Sequence, residues 1–383
     1  MPLAVVKPIW FHEGLEGLVK VEWGRVVSNG RPDLIAAAGR RFFIFTPTEF
    51  QYVAGLGADV GTEVLSLAVG LPADAKDNIV LGTEDRILAY AVAGGEPVRI
   101  LETGPEPGAR FVGLSLADLD GDGRQEVIAV SEGKQAFYVY SLIGEPGAFR
   151  LSLTAIRILP GPGQRVTAFK TGERLEPAVA TAYSSDAGSG LAVFIFTERG
   201  FAEGPSQELP ARVMSLASGD LTPGPGEELA WGGSDGSLRA VEIDDVINTS
   251  VVSDNLGTAV PALTVGRLSG DAFAVLIAGT AEGFIFGFAV PVSGGSPDWA
   301  VRVARPVNDI DVSEEGLLGL GTADGGVQVW LLSSGGRAFH VVRKGETLSS
   351  IARMYAVAAA EIAVANNIKD ISLIFPGRVL IIP

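Results

Sequence analysis

Four carboxylates fall within nine residues of the stretch "DLDGDGRQE", with Asp118, Asp120, Asp122 and Glu126 at its positions 1, 3, 5 and 9. Gly121 and Gly123 let the chain curl tightly, so carboxylates at alternate positions converge on one point. Like charges held that close call for a hard cation, and Ca2+ is the natural occupant, with the carbonyl of Arg124 as a further ligand. A solvated acidic turn without metal is the alternative. Two other stretches keep fragments of the same spacing: "VVSNGRPDLIAA" retains Asn29, Gly30, Pro32 and Asp33, and "GDLTPGPGEELAW" retains Asp220, Glu227 and Glu228. Neither has enough carboxylates for tight binding, so a single metal site is expected. Other chemistry is scarce. There is no cysteine, which excludes thiolate ligands and cysteine nucleophiles, and the two histidines, His12 and His340, lie beside strand-like apolar residues and read as strand positions. With no nucleophile–base pair and no dense carboxylate set outside Asp118–Glu126, the expectation is a protein that is not an enzyme.

The elements that position this loop repeat along the chain. Short apolar runs start at Leu34, Ile79, Val127, Ala178, Leu229, Val275 and Leu317, at intervals of 42 to 51 residues. Each follows a strand-like segment such as "VKVEWG" or "RVMSLASGD". Each precedes, after a Gly, Asp or Ser turn, an alternating β-branched or aromatic strand such as "FFIFTP" or "VQVWLL". Three clear strands per unit with room for a weaker fourth describe a propeller blade. The fold class is therefore mainly β: a seven-bladed β-propeller over residues 1–334. The seventh unit lacks an outer strand, and the spare segment "PLAVVKPIWF" at residues 2–11 is the strand that would complete it and close the ring. A linear stack of β repeats is the alternative architecture. The "DxDGDGxxD/E" loop ahead of an apolar strand resembles the repeats of FG-GAP and VCBS-type propellers. That resemblance implies a structural role for the calcium ion.

From Phe339 the text changes. A strand "FHVV", a turn "RKGET", a helical stretch with Leu348, Ile351, Ala352 and Tyr355 on one face, a second helical stretch "AAAEIAVANN" and a closing strand "GRVLIIP" make a β-α-α-β unit over residues 338–383. Val341, Lys344-Gly345-Glu346-Thr347-Leu348, Ile351-Ala352, Tyr355, Ala365-Asn366, Ile368, Leu373, Phe375-Pro376-Gly377 and Leu380 carry a resemblance to the LysM domain. The resemblance implies binding of N-acetylglucosamine polymers, peptidoglycan or chitin. By position it implies a shallow groove with Gly345, Glu346, Thr347 and Leu348 on one side and Leu373, Ile374, Phe375 and Pro376 on the other. Core packing is the alternative role for Leu348 and Leu373. Two positions depart from the family pattern. Ala356 stands where glycine is frequent and Ala358 where Ser or Thr commonly caps the second helix, each at a cost of about 1 kcal/mol.

Composition narrows the function classes. The net charge of −16 argues against nonspecific nucleic-acid binding, and no apolar run reaches the length of a membrane span. Residues 337–383 carry six basic and three acidic side chains, so a basic tail follows a strongly acidic body and the two parts suit different partners. The start, "MPLAVVKPIWFHEG", does not read as a secretory signal. The expected function is a non-catalytic protein of the cell wall or spore envelope that grips peptidoglycan through its tail and presents the propeller to a protein partner. One such tail module binds weakly, so oligomerisation is a further expectation. The alternative is a lectin or enzyme whose site lies in the propeller's central channel.

Overall fold

The computed structural model describes residues 4–27, 30–48, 52–71, 76–144, 148–222, 224–243, 246–267, 274–289, 297–303, 305–334, 338–342, 346–355, 357–366, 368, 374 and 379–382. Strand β1 (Ala4–His12) opens the chain, and blade 1 follows as β2 (Lys20–Gly24), β3 (Asp33–Ala38), β4 (Arg41–Pro47) and β5 (Tyr52–Asp59). Blade 2 holds β6 (Ser66–Gly70), β7 (Asn78–Gly82), β8 (Ile87–Ala93) and β9 (Glu96–Glu102), and blade 3 holds β10 (Phe111–Ala117), β11 (Glu126–Ser131), β12 (Ala136–Ile143) and β13 (Arg150–Ile158). Blade 4 is β14 (Gly163–Thr171), β15 (Glu176–Ser185), β16 (Gly188–Thr197) and β17 (Gly200–Leu209). Blade 5 is β18 (Val213–Gly219), β19 (Glu228–Gly233), β20 (Ser237–Ile243) and β21 (Ile247–Asn255). Blade 6 is β22 (Ala262–Arg267), β23 (Ala274–Gly279), β24 (Phe284–Ala289) and β25 (Trp299–Arg302). Blade 7 takes β26 (Val307–Val312), β27 (Leu317–Thr322) and β28 (Val327–Ser334), and borrows β1 as its outermost strand.

Every apolar run predicted from the repeat is the second strand of a blade, and these strands are buried along most or all of their length. Continuous burial explains their lack of polar alternation, because a second strand packs against neighbouring blades on both faces. The apolar side chains sort into seven clusters, one in each gap between adjacent blades. The inner strands press close enough that glycine is required at some positions. A Cβ on Gly266 would overlap the Val312 side chain of the next blade.

The ring closes as the spare segment implied. β1 runs antiparallel to β28 from Ala4 opposite Ser334 to His12 opposite Val327, with a bulge between Pro8 and Trp10. Pro8 is tolerated because β1 is an edge strand whose outer N–H groups need no partner. Trp10 reaches across to blade 1, with its ring 5.0 Å from Phe45 and 5.9 Å from Tyr52. His12 stacks on Trp10 and tilts against Phe45, which is the packing role expected for a strand histidine.

After the propeller come β29 (Ala338–Val341), α1 (Leu348–Met354), α2 (Ala359–Ala365) and β30 (Val379–Ile382), with β29 and β30 paired antiparallel. Val342, Leu348, Ile351, Ala352, Ile362, Ala363, Leu380 and Ile382 form its own core. Among the described residues no helix is long and apolar enough to cross a membrane.

Candidate functional site

The turn ahead of α1 places one of the residues assigned to the glycan groove, Thr347, in helix-capping geometry. Thr347 is the N-cap: its Oγ1 accepts the Ser350 N–H at 3.1 Å, while the Thr347 N–H donates to Ser350 Oγ at 2.9 Å. This reciprocal box fixes the loop between β29 and α1. Glu346 beside it is half-buried, and Leu348 is 1% exposed in the module core, so Leu348 serves packing. Ile374 is half-buried against the same core. Gly345, Leu373, Phe375 and Pro376 lie outside the described residues, as does Ala356. Ala358 has no side-chain cap to offer, but the Glu361 carboxylate accepts its N–H at 3.1 Å and supplies half of a capping box. The missing hydroxyl is thus partly offset by a charge suited to a helix N-terminus.

The acidic loop joins β10 to β11. Gly121 and Gly123 sit at φ of 77° and 86°, the left-handed region that favours glycine. Asp118 accepts the Gly121 N–H at 2.8 Å and the Gly123 N–H at 3.0 Å, and Asp120 accepts the Asp122 N–H at 3.1 Å. Carboxylate oxygens of Asp118, Asp120 and Glu126 gather within 4.8 Å of one another. Oxygens bound to one Ca2+ at about 2.3–2.6 Å lie at most about 5 Å apart, so the three fit a shared ion. Asp122 stands outside that group, accepting the Arg124 N–H at 2.7 Å, and the Arg124 guanidinium lies 5.5 Å from the Phe149 ring centroid. Glu126 is 4% exposed; burial, with smaller contributions from the charges of Asp120, Asp122 and Asp118, pushes its carboxyl up to about 7 against the N–H it accepts.

The fragments of this pattern in other blades turn out to share one part of the geometry. Glu126 accepts the Leu119 N–H seven residues back at 2.9 Å. Glu228 accepts the Leu221 N–H at 2.6 Å and the Thr222 N–H at 3.1 Å, and Asp33 accepts from Val26 at 3.1 Å and Val27 at 2.9 Å. The acid that opens the second strand thus ties down its own loop in blades 1, 3 and 5. Among the described residues, it is in blade 3 that two further carboxylates gather beside this acid.

The structure corrects one expectation. A second carboxylate set exists, in the central channel, where Glu22 of β2 meets Asp309 and Asp311 of β26. A cavity of about 340 Å³ is lined there by these acids together with Ser115, Thr167, Ser218 and Thr264. Sequence reasoning missed it because its members are nearly 290 residues apart. The legible signal was the alternation in "VNDIDV", which points two acids from an inner strand toward the axis.

Comparison with known proteins follows the division of the chain. Residues 340–383 match the LysM domain family. A stretch of 51 residues is 45% identical to N-acetylmuramoyl-L-alanine amidase XlyA of Bacillus subtilis (strain 168), covering 13% of this chain and 17% of the amidase. The chain therefore spans about a sixth of the length of that curated relative. A crystal structure of BBS1N in complex with ARL6DN, soaked with mercury, matches with a TM-score of 0.65 at 12% sequence identity over 85% of this chain and 96% of that one. A lead-soaked crystal of the same complex gives a TM-score of 0.63 at 12% identity over the same shares. At such identity the likeness is one of fold. The C-terminal part of the chain is a LysM domain, and a seven-bladed β-propeller precedes it.

Proposed function

We propose that this protein attaches to peptidoglycan through its LysM domain and displays the propeller, without catalysis, as a docking surface for a protein partner at the cell wall or spore surface. The observation that carries the reading is the LysM match over residues 340–383, supported by the 45% identity to a stretch of an enzyme whose name specifies a bond of the wall polymer. In this reading N-acetylglucosamine units lie in the groove flanked by Glu346 and Thr347 on one side and Ile374 on the other. Backbone amides would hydrogen-bond the acetamido groups there, while apolar surface packs on the sugar. A strongly acidic propeller suits a display role beside an anionic polymer better than a wall-gripping one.

The test is a pull-down on purified sacculi and spore cortex. The full chain is expected to sediment with the polymer and to be released by soluble N-acetylglucosamine oligomers, whereas a chain ending at residue 337 stays in solution. The channel carboxylates favour a second reading, a propeller that itself binds or acts on a glycan. Equal sedimentation of the truncated chain would establish that reading in place of the first.

Asp118, Asp120 and Glu126, with Asp122 and the Arg124 carbonyl near by, would hold one Ca2+ that braces the β10–β11 loop, as in FG-GAP and VCBS-type repeats. The ion would cancel the repulsion among the acids. Adding calcium at about 100 times its Kd is expected to stabilise the propeller by about 2.7 kcal/mol. Asp120→Ala should lose that response and keep sacculus binding. An unchanged melting curve on adding calcium or a chelator to the wild type would remove the ion from the account.

A further inference from the structure

Along the channel wall, three of the seams between neighbouring blades are bridged by neutral groups. Gln125 Oε1 accepts the Leu71 N–H at 2.6 Å, Ser115 Oγ accepts the Ala168 N–H at 3.0 Å, and Ser218 Oγ donates to the Ala168 carbonyl at 3.0 Å. The seam between blades 7 and 1 is built from acids. Asp309 Oδ2 accepts the Val21 N–H at 3.0 Å, Asp311 Oδ2 accepts the Trp23 N–H at 2.9 Å, and the Asp311 carbonyl accepts Trp23 Nε1–H at 3.1 Å. The inner edge of β2, with no further strand beside it in its own sheet, thus finds its acceptors on the next blade. Glu22 lies between those two donors, and it lines the same cavity as Asp309 and Asp311.

Two carboxyl oxygens can hydrogen-bond only with a proton between them. We propose that Glu22 and Asp311 share one proton across the β2–β26 seam, making the joint between the first and last blades a proton-operated latch that is tightest in acid and loosens as the proton leaves. The surroundings act in that direction. Burial, then the charges of Asp311 and Asp309, hold the Glu22 carboxyl well above the usual carboxylate range. Burial also raises Asp311, against the N–H groups of Trp23 and Val312 and a contact from Thr264 of β22. Asp309 is pushed up to about 6 by burial, opposed by the Val21 N–H and by Lys20 of β2 and Arg165 of β14. Lys20 in turn faces Glu63, and Arg165 faces Arg212.

The sign follows from linkage. The folded chain holds the shared proton to higher pH than the unfolded chain, whose carboxyls titrate near 4. The contribution is therefore complete below about pH 4 and is lost as pH rises through the folded value, by up to about tenfold in the folding equilibrium per pH unit for one proton. Unfolding of the full chain from about pH 5 to about pH 9 tests this against Glu22→Gln, whose amide donates to Asp311 at every pH. The wild type is expected to lose stability with rising pH up to about tenfold per unit faster than the variant. Its infrared spectrum at neutral pH should carry one more protonated-carboxyl band. Parallel pH profiles, or identical carboxyl bands, overturn the proposal. Should the variant not fold, the 13C carboxyl shift of Glu22 in the wild type decides, and a midpoint in the ordinary carboxylate range overturns it equally.

Discussion

A chain that begins after residue 12 is expected to melt about 5–10 °C below the full chain, from a loss of about 3–5 kcal/mol. Removing β1 uncovers Leu332, which is 0% exposed, and Trp330, which is 6% exposed, and takes away Val6 and the Trp10 contacts to Phe45 and Tyr52. It also leaves β28 as an unpaired edge, so the truncated chain should aggregate more readily. Trp10→Ala keeps the strand and removes only the bridge to blade 1. It should cost less than the deletion, and the difference measures what the backbone pairing of β1 contributes. Coincident melting curves for the deletion and the full chain would mean that the ring is held by its inner strands alone.

The second large effect belongs to Glu228. Its carboxylate accepts two backbone N–H groups and the Thr222 hydroxyl, at 2.5 Å for the latter, and the residue is 2% exposed. Burial raises its carboxyl above the ordinary range, while these donors pull it back. Glu228→Ala strands the Leu221 and Thr222 N–H groups in a site that water does not reach, and is expected to destabilise by about 2–4 kcal/mol. Glu228→Gln keeps an oxygen for the two N–H groups and an amide for the hydroxyl, so it should stay within about 1 kcal/mol of the wild type. Chemical denaturation separates the two, and equal stability of the Ala and Gln variants would remove the loop tie as the reason for an acid at this position.

The blade count and the closing strand were legible because burial on both faces forces unbroken apolar runs such as those at Ile79 and Leu317, and because one surplus strand faced one missing strand. The acidic loop was legible in outline: Asp118, Asp120 and Glu126 converge as their spacing implied, while Asp122 turns to bond the Arg124 N–H instead. Asp33 and Glu228 read as remnants of a metal loop, yet each keeps a structural duty that a ligand count does not detect. The meeting of Glu22 with Asp311 was hidden because only ring closure brings β2 beside β26. In the C-terminal module, Leu348 matched the groove by position and the core by polarity, and polarity decided.

The pairing of β1 with β28 also sets how the molecule answers to force. Ala4 lies opposite Ser334, so the start of the propeller and its exit toward the LysM domain leave from the same end of one antiparallel pair. A pull between those two points does not shear the strands past each other. It loads the rungs in sequence from Ala4 toward His12, one opening before the next bears tension. If the wall anchors the C-terminal domain while a partner pulls on the N-terminus, blade 7 is a zipper that yields at low force. A partner gripping the outer face of any other blade leaves that zipper unloaded.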